Sequence, residues 1–474
     1  RRRGREEGHQ GAHRPAGGTL KPALWSRVAL FLVLLFTSAV RLRLLDVPLE
    51  RDEGEYAYAG QLILQGVPPY RLACNMKLPG TYAAYSAIMA VFGQTPRGIH
   101  LGLLLVNVAT AVLLFFLGRR LFEDRTGAAA AAAFALLSLS QGVYGVFAHA
   151  THFVILPAVA GALLLARALG AGGGAGAAPG RPSLLPASGA LFGLAFVMKQ
   201  HGIFFVLFGA AWLVWELARR GVRPPGIAAR GAALLAGAAL PFALTCILLA
   251  RAGVFKDFWF WTFDYAREYV SEVPLSRGAP IFAQAIQAVT APALPLWSLA
   301  VAGLAAPLWD GPARSRWPFT ASLVLASFAA VCPGFYFREH YFVLLLPAVA
   351  LLAAIAAGAA GRALTRWLAA GRGAGDHGLA AILPGLVFAS FLLYPVYQER
   401  AFFFSMTPRE ASRQTYGPNP FPEAVEIARH IAADTTAGDR VAVLGSETDI
   451  FLYSGRRSAT SHIYMYWLME NQPY

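Results

Sequence analysis

Long apolar runs separated by short polar turns dominate this chain, and their spacing predicts helices rather than strands. Leu24 to Leu45 supplies the roughly 20 apolar residues that a helix needs to cross a bilayer core. Comparable runs follow at about 98–120, 127–143, 150–169, 184–199, 201–218, 231–251, 282–308, 317–334, 340–360 and 379–397. The pattern predicts an α-helical polytopic membrane protein with about 11 transmembrane helices. Only Lys199-Gln200-His201-Gly202 parts the two halves of 184–218, so a re-entrant pair or one kinked helix also fits there.

Residues 46–97 form a long loop after the first span. Within it, 55–66 and 79–93 have helical apolar spacing but are short for spanning, which predicts interfacial helices. Residues 1–22 are polar, rich in Arg and Gly, and predicted to be a disordered basic segment. The stretch 171–182, rich in Gly, Ala and Pro, reads as a flexible linker. After 397 the pattern changes. Pro422 to Ala433 reads as an amphipathic helix, Arg440-Val441-Ala442-Val443-Leu444-Gly445 as a buried strand, and Ile450 to Tyr453 as a short helix or strand. The expected organisation is a basic segment over 1–22, a membrane domain over 23–397, and a small α/β domain over 398–474 whose core is incomplete in this chain.

Composition agrees with a membrane protein. The chain is 57% hydrophobic and 14% charged, against about 45–50% and 25% for a soluble domain. The net charge is +14, yet the basic residues sit between apolar runs rather than in one soluble patch. That placement argues against nucleic acid as a partner and for membrane lipids. Arg119, Arg120 and Arg125, then Arg219, Arg220, Arg223 and Arg230, then Arg314 and Arg316, then Arg362, Arg366 and Arg372 fall in alternate loops. The intervening turns carry little beyond Lys199 and Arg338. The positive-inside rule then sets the N-terminus in the cytoplasm of a cell (inner or plasma) membrane. The loop 46–97, residues 252–281 and the C-terminal domain lie outside, that is, extracytoplasmic. Cys74, Cys246 and Cys332 are far apart and match neither a metal pattern nor a disulfide framework.

Candidate chemistry concentrates in Arg51-Asp52-Glu53-Gly54-Glu55-Tyr56, directly after the first span. Carboxylates beside a bilayer are costly unless water, a cation or a basic group accompanies them. Asp52, Glu53 and Glu55 are candidate catalytic groups, with Tyr56 beside them as a substrate contact. On a helix Asp52 and Glu55 share a face at i, i+3, which allows a divalent cation; a solvated acidic helix start is the bland reading. Lys77 stands out because lysine occurs only at Lys21, Lys77, Lys199 and Lys256 among 40 basic residues. Arg338 and His340 lie at the outer end of a late span, where a phosphate clamp is useful, and Lys199 and His201 lie in the tightest outer turn. His149 and His152 stand at i, i+3 with no third ligand nearby in sequence, so capping of a span competes with metal binding. Trp259 and Trp261, in the aromatic run 255–261, read as interfacial belt with some capacity to stack on a sugar. Arg456, Arg457, Tyr464 and Tyr466 are candidate acceptor contacts.

A first span followed by a long outer loop that opens on Asp52-Glu53 and carries Met76-Lys77-Leu78-Pro79-Gly80 resembles the type-C (GT-C) glycosyltransferases, in the protein-mannosyltransferase and aminoarabinose-transferase-like branch. Arg338-Glu339-His340-Tyr341 leading to Pro347 is similar to a late-span motif of that branch. The resemblance spans roughly 24–397. It implies transfer of a sugar from a polyprenyl-phosphate donor to an acceptor protein, lipid or glycan at the outer face. It also implies Asp52 as the base and Lys77 as a donor-phosphate contact. The family often has an acidic residue where this chain has His149 and His152, which weakens the case for a two-carboxylate metal site. A transporter or flippase of a lipid-linked glycan is the rival expectation, and would place ionisable groups near the bilayer midplane.

Overall fold

The computed structural model describes residues 20–172, 180–371 and 377–465. Most of the predicted disordered segment and linker, together with Arg372 and Tyr466, lie outside the described residues. Seven of the described helices are long and apolar enough, by length and composition, to cross a membrane: Leu24–Arg43, Pro96–Leu121, Ala150–Ala168, Gln200–Arg219, Pro224–Arg251, Leu275–Leu308 and Leu346–Leu368. The other four expected spans are not among them. Asp124–Leu137 and Leu185–Met198 are 14 residues each, and His377–Gln398, 22 residues long, carries Pro384 and Pro395 in its interior. Gly311–Val331 is 21 residues long but carries Arg314 and Arg316 in its first turns. The short helix Asp124–Leu137 is buried over nearly its whole length, so its neighbours rather than lipid surround it.

Ion pairs tie one end of the bundle. Arg27 and Arg119 both meet Asp124, and Arg362 bridges Asp310 and Glu123. The loop 46–95 gathers at the opposite end, together with the turn at 199–202, the segment 255–271 and the residues after 398. Two arginines at the end of the first helix fix that assembly. Arg41, buried, donates to the carbonyls of Gly145 (2.8 Å) and Ser138 (2.7 Å). Arg43 donates to the carbonyls of Phe402, Phe403 and Met406. A buried guanidinium without such acceptors would cost several kcal/mol, about 3–5, so these bonds hold two loops to the end of one helix.

The two helices expected to be interfacial form at Arg51–Leu64 and Gly80–Phe92. The first does not lie open at an interface. Glu53 to Leu62 are buried, because the tail packs over it. Gly54 permits that approach: a Cβ there would fall on the backbone N of Asp449 and the Thr448 hydroxyl. The tail forms the expected amphipathic helix at Phe421–Asp434 and a short helix at Asp449–Ser454. The expected buried strand over 440–445 reduces to Arg440–Val441, paired parallel with Arg457–Ser458. Leu444 is 82% exposed, whereas Val441 and Val443 pack against apolar residues of the tail and of the helix Arg51–Leu64.

Candidate active site

The acidic stretch folds as the start of the helix Arg51–Leu64. Glu50 is its N-cap and forms a reciprocal capping box with Glu53, satisfying backbone N–H groups that would otherwise be orphaned. Glu53 also accepts from His100 Nε2 (3.0 Å) and the Ala148 backbone N–H. It therefore organises the helix start and the loop before His149, and does not face the cavity, which corrects its assignment as a catalytic group.

Asp52 and Glu55 do share a helix face, and Lys77 joins them. Its ammonium lies 2.6 Å from Asp52 Oδ1 and 3.2 Å from Glu55 Oε2. The loop carrying Lys77 is pinned from several sides. Tyr70 donates its hydroxyl to the Lys77 carbonyl (2.8 Å), Gln200 Nε2 donates to the Met76 carbonyl (2.6 Å), and Asn75 Nδ2 donates to Glu55 (2.6 Å). Glu55 is fully buried and also accepts from the hydroxyls of Tyr82 and Tyr464. With four donors around it, Glu55 holds neighbouring groups in place rather than reaching substrate, and a cation shared by Asp52 and Glu55 would have to displace Lys77.

A different set converges on Asp52 Oδ2. His149 Nδ1 lies 3.9 Å away and His340 Nε2 lies 4.0 Å away. The two imidazoles stack at 4.0 Å with 8° between their planes, although 191 residues separate them in the chain. His149 caps the helix Ala150–Ala168, and its buried Nδ1 makes no hydrogen bond among the described residues. The three ligand atoms lie within 4.8 Å of one another. One carboxylate and two imidazoles, with an orphaned ring nitrogen among them, suit a divalent cation such as zinc. The expected partner in such a site was Glu55; the structure brings His340 there instead. His152 is buried away from the cavity, with no hydrogen bond to either ring nitrogen among the described residues.

Asp52, Lys77, His149 and His340 line a cavity of about 740 Å³ at the loop end of the bundle. Lys77, Lys199, Arg338, His340 and Tyr56 reach it, and Lys199 lies 4.1 Å from the centre of the Tyr341 ring. Trp259 and Trp261 do not line it. Trp259 is half-exposed and packs against Phe255 and Phe263, and Trp261 packs edge-on against His462. Arg456 holds the tail together through Thr435, and Arg457 ties it to Gln65 at the end of the helix Arg51–Leu64, away from the cavity. Sequence reasoning missed Glu50, Gln200, Tyr269, Tyr336 and Tyr416, all on the wall. Their only signal was a polar position at the end of a helix or in a turn, which many residues of this chain share.

The charges decide the states of these groups. Burial works to raise the Asp52 carboxyl, but the Lys77 ammonium foremost, with Lys199, holds it well below the usual carboxylate range. Burial would also lower the Lys77 ammonium, yet Asp52 and Glu55 keep it well above its usual value. Burial pushes His149 down to about 4 against the pull of Asp52, and pushes His340 well below its usual value. Lys199, desolvated and repelled by Lys77, falls to about 7. The site thus holds an ionised Asp52, a charged Lys77 and two neutral imidazoles.

This architecture is that of the type-C membrane glycosyltransferases, the class expected from the sequence. A crystal structure of ArnT from Cupriavidus metallidurans bound to undecaprenyl phosphate superposes with a TM-score of 0.60 at 17% identity, over 92% of this chain and 86% of that one. The oligosaccharyltransferase AglB from Archaeoglobus fulgidus, in complex with an inhibitory peptide and a dolichol-phosphate, superposes with a TM-score of 0.57 at 14% identity. That match covers 93% of this chain and 65% of AglB. An Archaeoglobus fulgidus oligosaccharyltransferase in complex with Zn and sulfate gives a TM-score of 0.55 at 15% identity, over 91% of this chain and 62% of that one. In sequence, a model of the dolichyl-phosphate-mannose-protein mannosyltransferase family matches residues 77–255. No curated protein matches the sequence.

Proposed function

We propose that this protein transfers a sugar from a polyprenyl-phosphate-linked donor to an acceptor hydroxyl, on a protein, lipid or glycan, at the outer membrane face and with inversion. The observation that carries the reading is the Asp52–Lys77 pair on the wall of a cavity that Lys199 and Arg338 also line. The polyprenyl phosphates bound by ArnT and AglB support the same donor class here. The arginine-rich loops support the outward orientation of the cavity.

In this reading the donor phosphate settles against Lys77, Lys199 and Arg338. Its charge draws the Lys77 ammonium off Asp52 Oδ1 and leaves that oxygen free. The acceptor hydroxyl donates to Oδ1, and as its oxygen bonds to the anomeric carbon from the face opposite the phosphate, the proton passes to Asp52. The bond between the anomeric carbon and the phosphate oxygen breaks with its electron pair on the oxygen. The cations hold the second negative charge that appears on the departing polyprenyl phosphate. Asp52 returns its proton to water, ready for another turn. Asp52 Oδ2, His149 and His340 would hold a divalent cation, and such an ion would supply further positive charge toward the phosphate.

Nothing in the fold favours the flippase alternative, and one experiment separates the two. Purified protein in vesicles is supplied with a panel of polyprenyl-phosphate sugars, and both free polyprenyl phosphate and donor translocation are followed. Release of polyprenyl phosphate with sugar appearing on acceptor or water supports the reading. Translocation of intact donor without cleavage across the panel overturns it.

A further inference from the structure

We propose that Tyr416, contributed by the tail rather than by the membrane helices, is a positioning residue that fixes the His149 imidazole beside Asp52. The inference rests on the reading of Asp52 as the reacting carboxylate. Tyr416 ends the helix Pro408–Tyr416, whose start is closed by a capping box between Thr407 and Glu410. Its ring packs edge-on against Phe147 at 4.9 Å and Phe421 at 5.3 Å, and lies 5.1 Å from Tyr144. From that socket its hydroxyl reaches His149 Nε2 at 3.0 Å.

An imidazole presents two nitrogens at different edges, and the partner of one decides which faces the site and in which tautomer. Stacking on His340 fixes only the plane of the His149 ring. A half-turn about the Cβ–Cγ bond would keep that plane yet exchange Nδ1 with Cδ2 and Nε2 with Cε1, carrying Nδ1 away from Asp52. The Tyr416 hydroxyl removes that freedom, so Nδ1 stays 3.9 Å from Asp52 Oδ2 and 3.6 Å from Glu50 Oε1. Whichever way the Tyr416–His149 bond runs, Nδ1 is the nitrogen delivered to the carboxylates. A nitrogen so placed can donate to Asp52 once Lys77 leaves it for the phosphate, or can help hold a cation. The loop before His149 is braced by Arg41 from the other side, and the tail itself is fixed by Arg43. The membrane helices therefore hold both partners, but the tail supplies the hydroxyl that orients the ring.

Tyr416→Phe deletes the hydroxyl and keeps the ring in its socket. With a polyprenyl-phosphate sugar as substrate, kcat falls about tenfold, the effect of one lost hydrogen bond. KM for the donor stays at the wild-type value, because Lys77, Lys199 and Arg338 are untouched. In a His149→Ala background the same substitution costs nothing further, since the ring it positions is gone. A wild-type kcat, or a raised KM with kcat kept, overturns the inference. So does an equal loss in both backgrounds. The reading beneath it is tested apart: an Asp52→Asn variant with full activity overturns the base assignment. An inactive Asp52→Asn beside a wild-type-like Tyr416→Phe overturns this inference alone.

Discussion

Lys77→Met removes the one ammonium that touches both carboxylates of the site. Lys77 and Asp52 side chains are 20% and 22% exposed, whereas Glu55 is fully buried. Truncating one partner of a buried ion pair costs about 3–5 kcal/mol; the partial exposure of Lys77 and Asp52 scales that to about 2–3 kcal/mol. Asp52→Asn leaves Lys77 beside Glu55 and costs less, about 1 kcal/mol. In the double variant Glu55 still has Asn75, Tyr82 and Tyr464 as donors, and the repulsion between Asp52 and Glu55 is gone. The two substitutions therefore couple by about 1–2 kcal/mol, the double variant being more stable than the sum of the single ones. Unfolding in mixed detergent–SDS micelles reads each free energy. Donor turnover by Lys77→Met is expected to fall by a factor of about 10²–10³, as for loss of one group that stabilises developing charge. Stability losses that simply add, or a neutral Lys77→Met, would refute the reasoning.

Three further outcomes follow from other parts of the fold. Gly54→Ala sets a methyl against the backbone of Asp449 and is expected to destabilise by about 1–3 kcal/mol while exposing residues 435–455 to protease; cleavage at the wild-type rate would contradict it. Glu399 is raised by burial from 4.5 to about 7, despite bonds from the Ser140 hydroxyl and the Gln141 N–H. Its proton is bound more tightly in the folded state, so this stabilisation is full below about 4.5 and is lost as pH rises through about 7. Wild type should lose up to about 3 kcal/mol over that interval that Glu399→Gln keeps; parallel pH curves would rule this out. Equilibrium dialysis against zinc should find one ion per wild-type chain and none per His340→Ala chain, and equal uptake by both would remove the three-ligand site.

Much of the architecture was legible because apolar spacing reports burial in lipid or bundle directly. Seven spans stand where the runs predicted them. The other four runs also form helices, Asp124–Leu137, Leu185–Met198, Gly311–Val331 and His377–Gln398; Asp124–Leu137 is apolar because other helices cover it, and composition does not distinguish protein from lipid as the covering phase. Asp52 and Lys77 were readable from their local setting, and the structure pairs them. Glu53 looked identical in sequence but spends its carboxylate on helix capping. The meeting of His149 with His340 depends on how distant spans pack, and no local period encodes it. Tyr416 was missed for the same reason. Trp259 and Trp261 show the converse, an eye-catching aromatic run that the fold turns away from the cavity.

The central claim is that Asp52 takes the acceptor's proton during sugar transfer, and Asp52→Asn tests it most directly. The substitution keeps the side chain's size and its contact with Lys77 while removing the base. In reconstituted protein supplied with a polyprenyl-phosphate sugar that wild type cleaves, donor binding should persist and single-turnover transfer should fall by at least about 10²-fold. Transfer at the wild-type rate by Asp52→Asn would contradict the account.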